Sequence, residues 1–225
     1  MIGPFRLACL DMAGTTVRDD GAVEAAFDET LAAVGVRPGT ARYEDAHRFV
    51  HETMGWSKAD VFAELLGADQ AELATTRFAS AYEAIVAAGD VEPMAGAPEV
   101  LRALRARGVR VCLTTGFAPS TRDALLDALR WRDKIDLALS PADVGRGRPA
   151  PDLVLGAMAR LEVEDPGAVV VVGDTVSDLQ TGTAARARAV VGVLTGAHDR
   201  ATLAAAPHTA ILSDITGLVG LLEAL

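Results

Sequence analysis

The sequence is poor in aromatic residues, cysteine and long apolar runs. Aromatic side chains make up 4% of the 225 residues although half are hydrophobic, so alanine, valine and leucine must fill a large core. Cys9 and Cys112 lie in apolar strand-like runs, which favours buried thiols and a reducing cytoplasm over a disulfide framework. No apolar run approaches the roughly 18 residues of a membrane helix, and the N-terminus lacks a signal-peptide core. We therefore expect a soluble, cytoplasmic protein without a membrane partner.

Positive charge is also scarce. Lysine and arginine total 21 against 31 acidic residues, which gives a formal net charge of −10. Such a chain is a poor match for nucleic acid, whose binding depends on neutralising phosphates. A small anionic substrate is still compatible with this charge, because a few basic side chains can be concentrated at one site. The composition leaves the oligomeric state open, and a homodimer is compatible with it.

Short apolar runs recur along the chain and predict strands. Helix-period segments separate them, and one such segment begins near Pro98 and ends at Gly108. Strands that alternate with helices predict right-handed βαβ units around a parallel sheet that is buried on both faces, an α/β fold of Rossmann type. The predicted strands are Phe5–Leu10, Val109–Thr114, Ile135–Leu139, Val169–Val172, Ala189–Leu194 and Ala210–Leu212.

One long stretch interrupts this alternation. Residues 21–88 have helical periodicity and no convincing strand, which predicts four helices inserted after the first strand. The expected organisation is an α/β core domain formed by residues 1–20 and 89–225, with a helical cap domain at 21–88. The Gly- and Pro-containing residues 89–98 predict the hinge.

Polar signals follow the predicted strands, at the sheet edge where open α/β sheets bind ligands. Asp11 ends the first strand in LDMAGTT, and Gly14 lets the following backbone turn close to an anion. Thr115 and Gly116 follow the second strand in LTTG, where a hydroxyl and amides can cradle phosphate oxygens. Taken alone, the first motif is equally typical of an aspartate that caps a helix. Taken alone, the second is equally typical of an ordinary exit from a strand into a turn.

Two further motifs lie nearer the C-terminus. GRGRPAPD places Arg146 and Arg148 in a loop, where a guanidinium can neutralise a phosphoryl group or stay solvated. VVVVGDTVSD places Asp174 after a buried valine strand and Asp178 four residues later. Carboxylates that converge at one edge repel each other unless a hard cation lies between them, so the pattern predicts Mg²⁺.

The order Asp11, Thr115, Arg148 and Asp174 with Asp178 resembles the four ordered motifs of the haloacid dehalogenase superfamily. Within it, DMAGT, TTG, GRPAP and GDTVSD are similar to the motifs of phosphonatase-like members. The resemblance implies that Asp11 attacks phosphorus and that the resulting aspartyl phosphate is hydrolysed. It also implies Mg²⁺ held by Asp11, the Ala13 carbonyl and Asp174 with support from Asp178, and a small phosphonate or phosphate ester bound by Gly14, Thr15, Thr115, Gly116 and Arg148.

The resemblance further singles out MGWSK at residues 54–58. In phosphonatase this cap loop contacts the substrate, here through Met54 and Gly55, and its lysine forms an imine with an aldehyde substrate. Lys58 matches that lysine, but Val61 stands where phosphonatase has histidine. Lys58 can therefore form an imine, bind an anionic group or lie solvated at a helix start. His47 and His51 can replace the missing histidine, join a metal site or form a polar helix face.

Ala13 favours some of the possible enzyme functions over others. Many phosphatases and mutases of the superfamily carry an aspartate at this position as general acid and base, a role that alanine cannot fill. A sugar phosphomutase is therefore disfavoured, and a phosphoglycolate-type phosphatase is retained as an alternative. A dehalogenase would not need the GDTVSD metal cluster. A phospho-accepting receiver-like signalling domain is the alternative outside the enzymes.

Overall fold

The computed structural model describes residues 3–89 and 91–225, which form a central sheet flanked by helices. Within these residues the sheet has six parallel strands in the spatial order β3-β2-β1-β4-β5-β6. This confirms the predicted Rossmann-like α/β fold. Met1, Ile2 and Asp90, which belong to the predicted core segments and hinge, lie outside the described residues. The strands are β1 (Leu7–Asp11), β2 (Arg110–Thr114), β3 (Leu137–Leu139), β4 (Val169–Gly173), β5 (Ala189–Val193) and β6 (Ala210–Leu212).

The central strands are covered on both faces. Every residue of β1 and of β4 is buried, and so these strands are continuous apolar runs rather than alternating ones. Cys9 and Cys112 are register partners on β1 and β2, and both are fully buried. Burial raises the pKa of the Cys112 thiol, which fits the predicted inert thiols because the reactive form is the thiolate.

Helices occupy the connections between the strands. None in the described ranges is both long and apolar enough to span a bilayer. The predicted helices are present with small shifts, and α8 begins at Val176 because Thr175 caps its N-terminus. The helices are α1 (Ala22–Ala33), α2 (Ala41–Glu52), α3 (Lys58–Leu66), α4 (Ala68–Ala88), α5 (Ala97–Ala106), α6 (Pro119–Ala128), α7 (Asp152–Arg160), α8 (Val176–Ala184), α9 (Arg200–Ala204) and α10 (Leu218–Ala224).

Helices α1 to α4 all lie between β1 and β2 in the chain. Their shared interior contains aromatic rings packed at a tilt: the Phe27 centroid lies 5.2 Å from that of Phe62 and 4.8 Å from that of Phe78. These rings belong to the same apolar cluster as strand residues such as Leu10. The inserted helices therefore pack near the carboxyl ends of the strands, where Asp11 lies. The domain boundaries at 20/21 and 88/89 stay predictions.

Helices α9 and α10 were not predicted. Helix α9 has five residues and α10 has seven, too few for helical periodicity to be recognised. Only α9 has a side-chain cap: the carboxylate of Asp199 accepts a hydrogen bond from the Thr202 amide at 2.8 Å, whereas α10 follows Gly217 without one. Leu203, Leu218 and Leu222 then pack into the protein interior, so these helices depend on tertiary contacts.

We predict that Leu153→Ala lowers the free energy of unfolding by about 2–5 kcal/mol, the range for a buried leucine whose removal leaves a cavity. Leu153 is fully buried on α7. Leu155→Ala on the same helix is the matched control, because that side chain is 45% exposed and should cost well under about 1 kcal/mol. Urea denaturation followed by circular dichroism measures both. Equal losses would contradict the assigned orientation of α7.

Candidate active site

The strand order brings the predicted polar residues to one edge of the sheet. Asp11 is the last residue of β1, Thr114 is the last residue of β2, and Asp174 directly follows β4. Because β1 lies between β2 and β4, these three carboxyl ends are neighbours. Ligands bind at such an edge in open α/β sheets.

Three buried aspartates meet at this edge. Asp11, Asp174 and Asp178 each offer an oxygen atom, and these atoms all lie within 4.8 Å of one another. Each residue is at most 5% exposed. Oxygen donors of this kind suit a hard divalent cation, so the cluster is able to hold a metal ion.

Arg148 lies between two of these aspartates. Its Nη2 atom is 2.7 Å from Asp11 Oδ1 and its Nε atom is 2.9 Å from Asp178 Oδ1. Nη2 also donates to Thr114 Oγ1 at 2.8 Å. Burial lowers the pKa of the guanidinium, but Asp178 and Asp11 outweigh that effect and raise it. Arg148 is therefore a fixed positive charge beside the first-strand carboxylate.

The positive charge of Arg148 does not compensate the negative charges of the three aspartates. Burial raises the pKa of Asp11 well above its usual range, and the charges of Asp178 and Asp174 raise it further although Arg148 lowers it. Burial, followed by the charge of Asp178, raises the pKa of Asp174 to about 6. These shifts record repulsion among carboxylates in a poorly solvated site. A cation or a protonated partner relieves it.

Asp174 is held in place from two sides. Oδ1 accepts a hydrogen bond from Thr15 Oγ1 at 2.9 Å, and Oδ2 accepts one from the Ala197 amide at 2.8 Å. Gly14 has φ of +83°, and a Cβ there would lie 2.7 Å from Asp174 Oδ2, so only glycine fits. Sequence reasoning missed the loop after β5 that contains Ala197, since its small residues carry no chemical signature.

Asp178 is engaged at both oxygens. Oδ2 accepts from the Thr175 amide at 3.1 Å and from Thr175 Oγ1 at 2.5 Å, which forms a capping box at the start of α8. Oδ1 faces Arg148. The role implied for Asp178, support of the metal site from close by, is compatible with these contacts.

The two threonines of the TTG motif, Thr114 and Thr115, make different contacts. Thr115 lines the cavity in front of Asp11, and its Oγ1 accepts a hydrogen bond from the Phe117 amide at 3.2 Å. Thr114 instead contacts Arg148. Sequence reasoning selected Thr115 and missed Thr114, because adjacent identical residues on a strand end give no sign of which one faces the neighbouring loop.

The loop that precedes α3 closes over the sheet edge. The Lys58 amide donates to the Gly116 carbonyl at 3.1 Å, and a Cβ at Gly116 would lie 2.2 Å from the Trp56 carbonyl oxygen. Arg148 Nη1 also donates to the Gly55 carbonyl at 3.4 Å. The loop between α2 and α3 is thus in contact with Gly116 of the TTG motif and with Arg148 of the GRPAP motif.

Under this loop lies a cavity of about 560 Å³. Most of the predicted site residues line it, whereas Thr15 and Asp178 contribute through hydrogen bonds to the cluster. The predicted residues that line the cavity are Asp11, Ala13, Gly14, Met54, Gly55, Lys58, Thr115, Gly116, Arg148 and Asp174.

The Lys58 side chain points into this cavity and is 5% exposed. Its Nζ atom lies 5.2 Å from the Phe27 ring centroid and 5.7 Å from those of Phe78 and Phe117. Burial lowers the pKa of Lys58 to about 8, even though Asp11 and Asp19 act to raise it. A solvated lysine at a helix start is therefore wrong for Lys58.

The other basic residues considered from the sequence lie elsewhere. His47 Nε2 is 2.5 Å from Asp28 Oδ1, and His51 lies with it at a neighbouring cavity of about 350 Å³ on the cap helices. The side chain of Arg146 is 72% exposed and pairs with Asp152 at 2.8 Å. Neither histidine is among the residues that line the cavity with Lys58.

The strand order and the aspartate cluster at the strand ends define a Rossmann-like α/β protein with an acidic centre that is able to hold a metal ion. The chain belongs to the haloacid dehalogenase-like hydrolases: the model of that family matches residues 5–186. It is therefore an enzyme, and the receiver-like signalling alternative is wrong.

Individual proteins that are similar to this chain include phosphonoacetaldehyde hydrolase relatives and a solved hydrolase. The chain is 34% identical over 111 residues to a phosphonoacetaldehyde hydrolase of Bacteroides fragilis, a match that covers 49% of this chain but only 42% of that protein. It is 30% identical to a phosphonoacetaldehyde hydrolase-like protein of Syntrophobacter fumaroxidans over 86% of this chain and 74% of that one. A solved hydrolase from Pseudomonas syringae has a TM-score of 0.85 at 26% identity, with 99% of both chains covered.

We predict that Arg148→Met lowers the free energy of unfolding by about 3–5 kcal/mol at pH 8 in metal-free buffer, because Asp11 and Asp178 lose their buried partner. Arg148 holds down the pKa of Asp11. Without it, that folded-state pKa rises further, so the variant takes up a proton more readily. The deficit should therefore shrink when urea denaturation is repeated at pH 5.5.

Arg146→Met is the matched control in the same loop. Its exposed pair with Asp152 should contribute no more than about 1 kcal/mol at either pH. A pH-independent loss for Arg148→Met, or one as small as that of the control, would contradict the electrostatic role given to Arg148.

Proposed function

We propose that the protein is a magnesium-dependent hydrolase of a small phosphonate or phosphate ester, with Asp11 as the nucleophile. The supporting observation is the buried edge cluster, in which Asp11 lines the cavity and lies 2.7 Å from a fixed guanidinium. A carboxylate so placed can attack phosphorus to give an aspartyl phosphate, and water then hydrolyses that intermediate. Phosphate release from a panel of small phosphonates and phosphate esters is the direct test.

The residues around Asp11 match the needs of phosphoryl transfer. Thr115 and the backbone near Gly14 and Gly116 line the cavity where phosphoryl oxygens would bind. Arg148 carries a positive charge toward the same region, which suits a group that stays anionic throughout the reaction. Its hydrogen bond to Thr114 keeps this charge oriented.

The aspartate cluster fits Mg²⁺ as the resident metal. Its donors are carboxylates, the type that Mg²⁺ prefers, and one arginine leaves them short of positive charge. Asp11, Asp174 and the Ala13 carbonyl are the proposed ligands, and Asp178 supports them. When bound, Mg²⁺ supplies charge neutralisation and polarises the phosphoryl group.

In this proposal, the part of the substrate that is remote from the phosphoryl group lies near Lys58. A buried amine with a pKa of about 8 is suited either to bind an anionic or carbonyl oxygen or to form an imine. The names of the phosphonoacetaldehyde hydrolase relatives favour an aldehyde. Val61, together with the absence of His47 and His51 from the described residues that line the Lys58 cavity, favours binding, since imine formation also needs proton transfer.

We predict that EDTA removes hydrolytic activity and that Mg²⁺ restores it, because the cluster needs a cation to bring an anionic phosphoryl group to Asp11. Asp174→Asn should raise the Mg²⁺ concentration required for half-maximal rate. Both are measured as phosphate release against Mg²⁺ concentration.

Asp11→Asn is the control for this titration. An amide cannot act as nucleophile, so its rate should stay below about one hundredth of wild type at every Mg²⁺ concentration. Full turnover in metal-free buffer would exclude the metal, and an active Asp11→Asn would exclude the aspartyl phosphate.

We predict that Lys58→Arg mainly raises KM and that borohydride traps no adduct on the wild-type protein with phosphonoacetaldehyde. Arginine keeps the charge that binds oxygen but cannot form an imine. The sequence contains one other lysine, the exposed Lys134, so Lys134→Arg is a matched control and peptide mass spectrometry is unambiguous. An adduct at Lys58, with loss of C–P cleavage in Lys58→Arg, would instead establish imine chemistry.

A further inference from the structure

Apart from Lys58, to which a substrate-binding role is given above, the site as described lacks a group that can exchange a proton with the leaving group. Arg148 has its pKa raised and stays charged, and Ala13 has no titratable side chain. The cavity has further carboxyl groups beyond the Asp11 cluster: among the described residues that line it, these are Asp19, Asp20 and Glu24. They lie on the segment that leads from β1 into α1, on the Lys58 side of the cavity.

Asp19 differs from the other two in being fixed and shielded. Its Oδ1 accepts a hydrogen bond from the Val23 amide at 3.0 Å, at the start of α1. Asp19 is half-buried, whereas Asp20 and Glu24 are exposed, and Asp20 is paired with Arg18 at 3.1 Å. A general acid needs a defined position and limited solvation, and of the three only Asp19 has both.

We propose that Asp19 is the general acid and base for the leaving group of a phosphate ester, which rests on the function proposed above. In the first step Asp11 forms a bond to phosphorus, the bond from phosphorus to the leaving oxygen breaks, and the Asp19 carboxyl transfers its proton to that oxygen. In the second step water attacks phosphorus, the Asp19 carboxylate takes the water proton, and the bond to Asp11 breaks. Asp19 thus ends each cycle in its starting state.

The charges around Asp19 are consistent with this role. Burial raises its pKa, which keeps the acid form available nearer neutrality, while the Val23 amide and Lys58 lower it. Glu24 from α1 and the neighbouring Asp20 raise it. Lys58, which faces Asp19 from α3, can in turn stabilise the carboxylate after the proton has left. Sequence reasoning missed Asp19 because it lies outside the four motifs.

The test compares two substrates that differ in their need for a proton. A simple alkyl phosphate has a poor leaving group, whereas p-nitrophenyl phosphate leaves readily without protonation. Asp19→Asn should lower kcat/KM for the alkyl ester by about a hundredfold or more, the usual contribution of general acid catalysis, and change kcat/KM for the nitrophenyl ester by less than about threefold. The ratio kcat/KM reports the step that forms the aspartyl phosphate, whereas kcat should fall for both esters because the second step loses its base. Asparagine retains the oxygen that accepts from the Val23 amide, so the start of α1 is preserved.

Asp20→Asn is the matched control, since it removes the adjacent cavity carboxyl and should leave both substrates nearly unaffected. Equal losses of kcat/KM on the two esters in Asp19→Asn, or no loss on either, would overturn the role of Asp19 and leave the proposed function standing. Failure of the wild-type protein with Mg²⁺ to release phosphate from either ester would overturn both for this substrate class.

Discussion

The contact between Arg148 and the two aspartates Asp11 and Asp178 is the interaction on which the site depends. Three carboxylates cannot be buried together at a sheet edge without compensating charge, because desolvation and mutual repulsion both favour their neutral forms. The guanidinium meets this constraint in part, at 2.7 and 2.9 Å from the two carboxylates. Its incomplete compensation is the physical reason to place a metal ion there.

Close backbone contact is the second constraint. Gly14 allows the loop after β1 to approach Asp174, and Gly116 allows the cap loop to rest on the loop after β2. A side chain at either position would hold the two surfaces apart. These contacts convert an exposed sheet edge into a partly enclosed cavity of about 560 Å³. Electrostatic interactions inside such a cavity are stronger than in solvent.

The cavity has two chemically distinct ends. Asp11, Arg148 and Asp174 define an end suited to an anionic phosphoryl group, whereas Lys58 and the phenylalanine rings define an apolar end with one titratable amine. The segment with Asp19 lies on that second side.

The sequence by itself determined the strand positions, the parallel sheet and the identity of Asp11, Asp174 and Asp178, because strand periodicity and motif spacing are local properties. The sequence also selected Arg148, through the resemblance of GRPAP to a known motif, but only the tertiary structure revealed Thr114 and Asp19 and oriented Lys58 into the cavity. Those choices depend on contacts between distant segments, as in the bond from Thr15 to Asp174 across 159 residues. Such contacts form only when the chain is folded, and no local pattern encodes them.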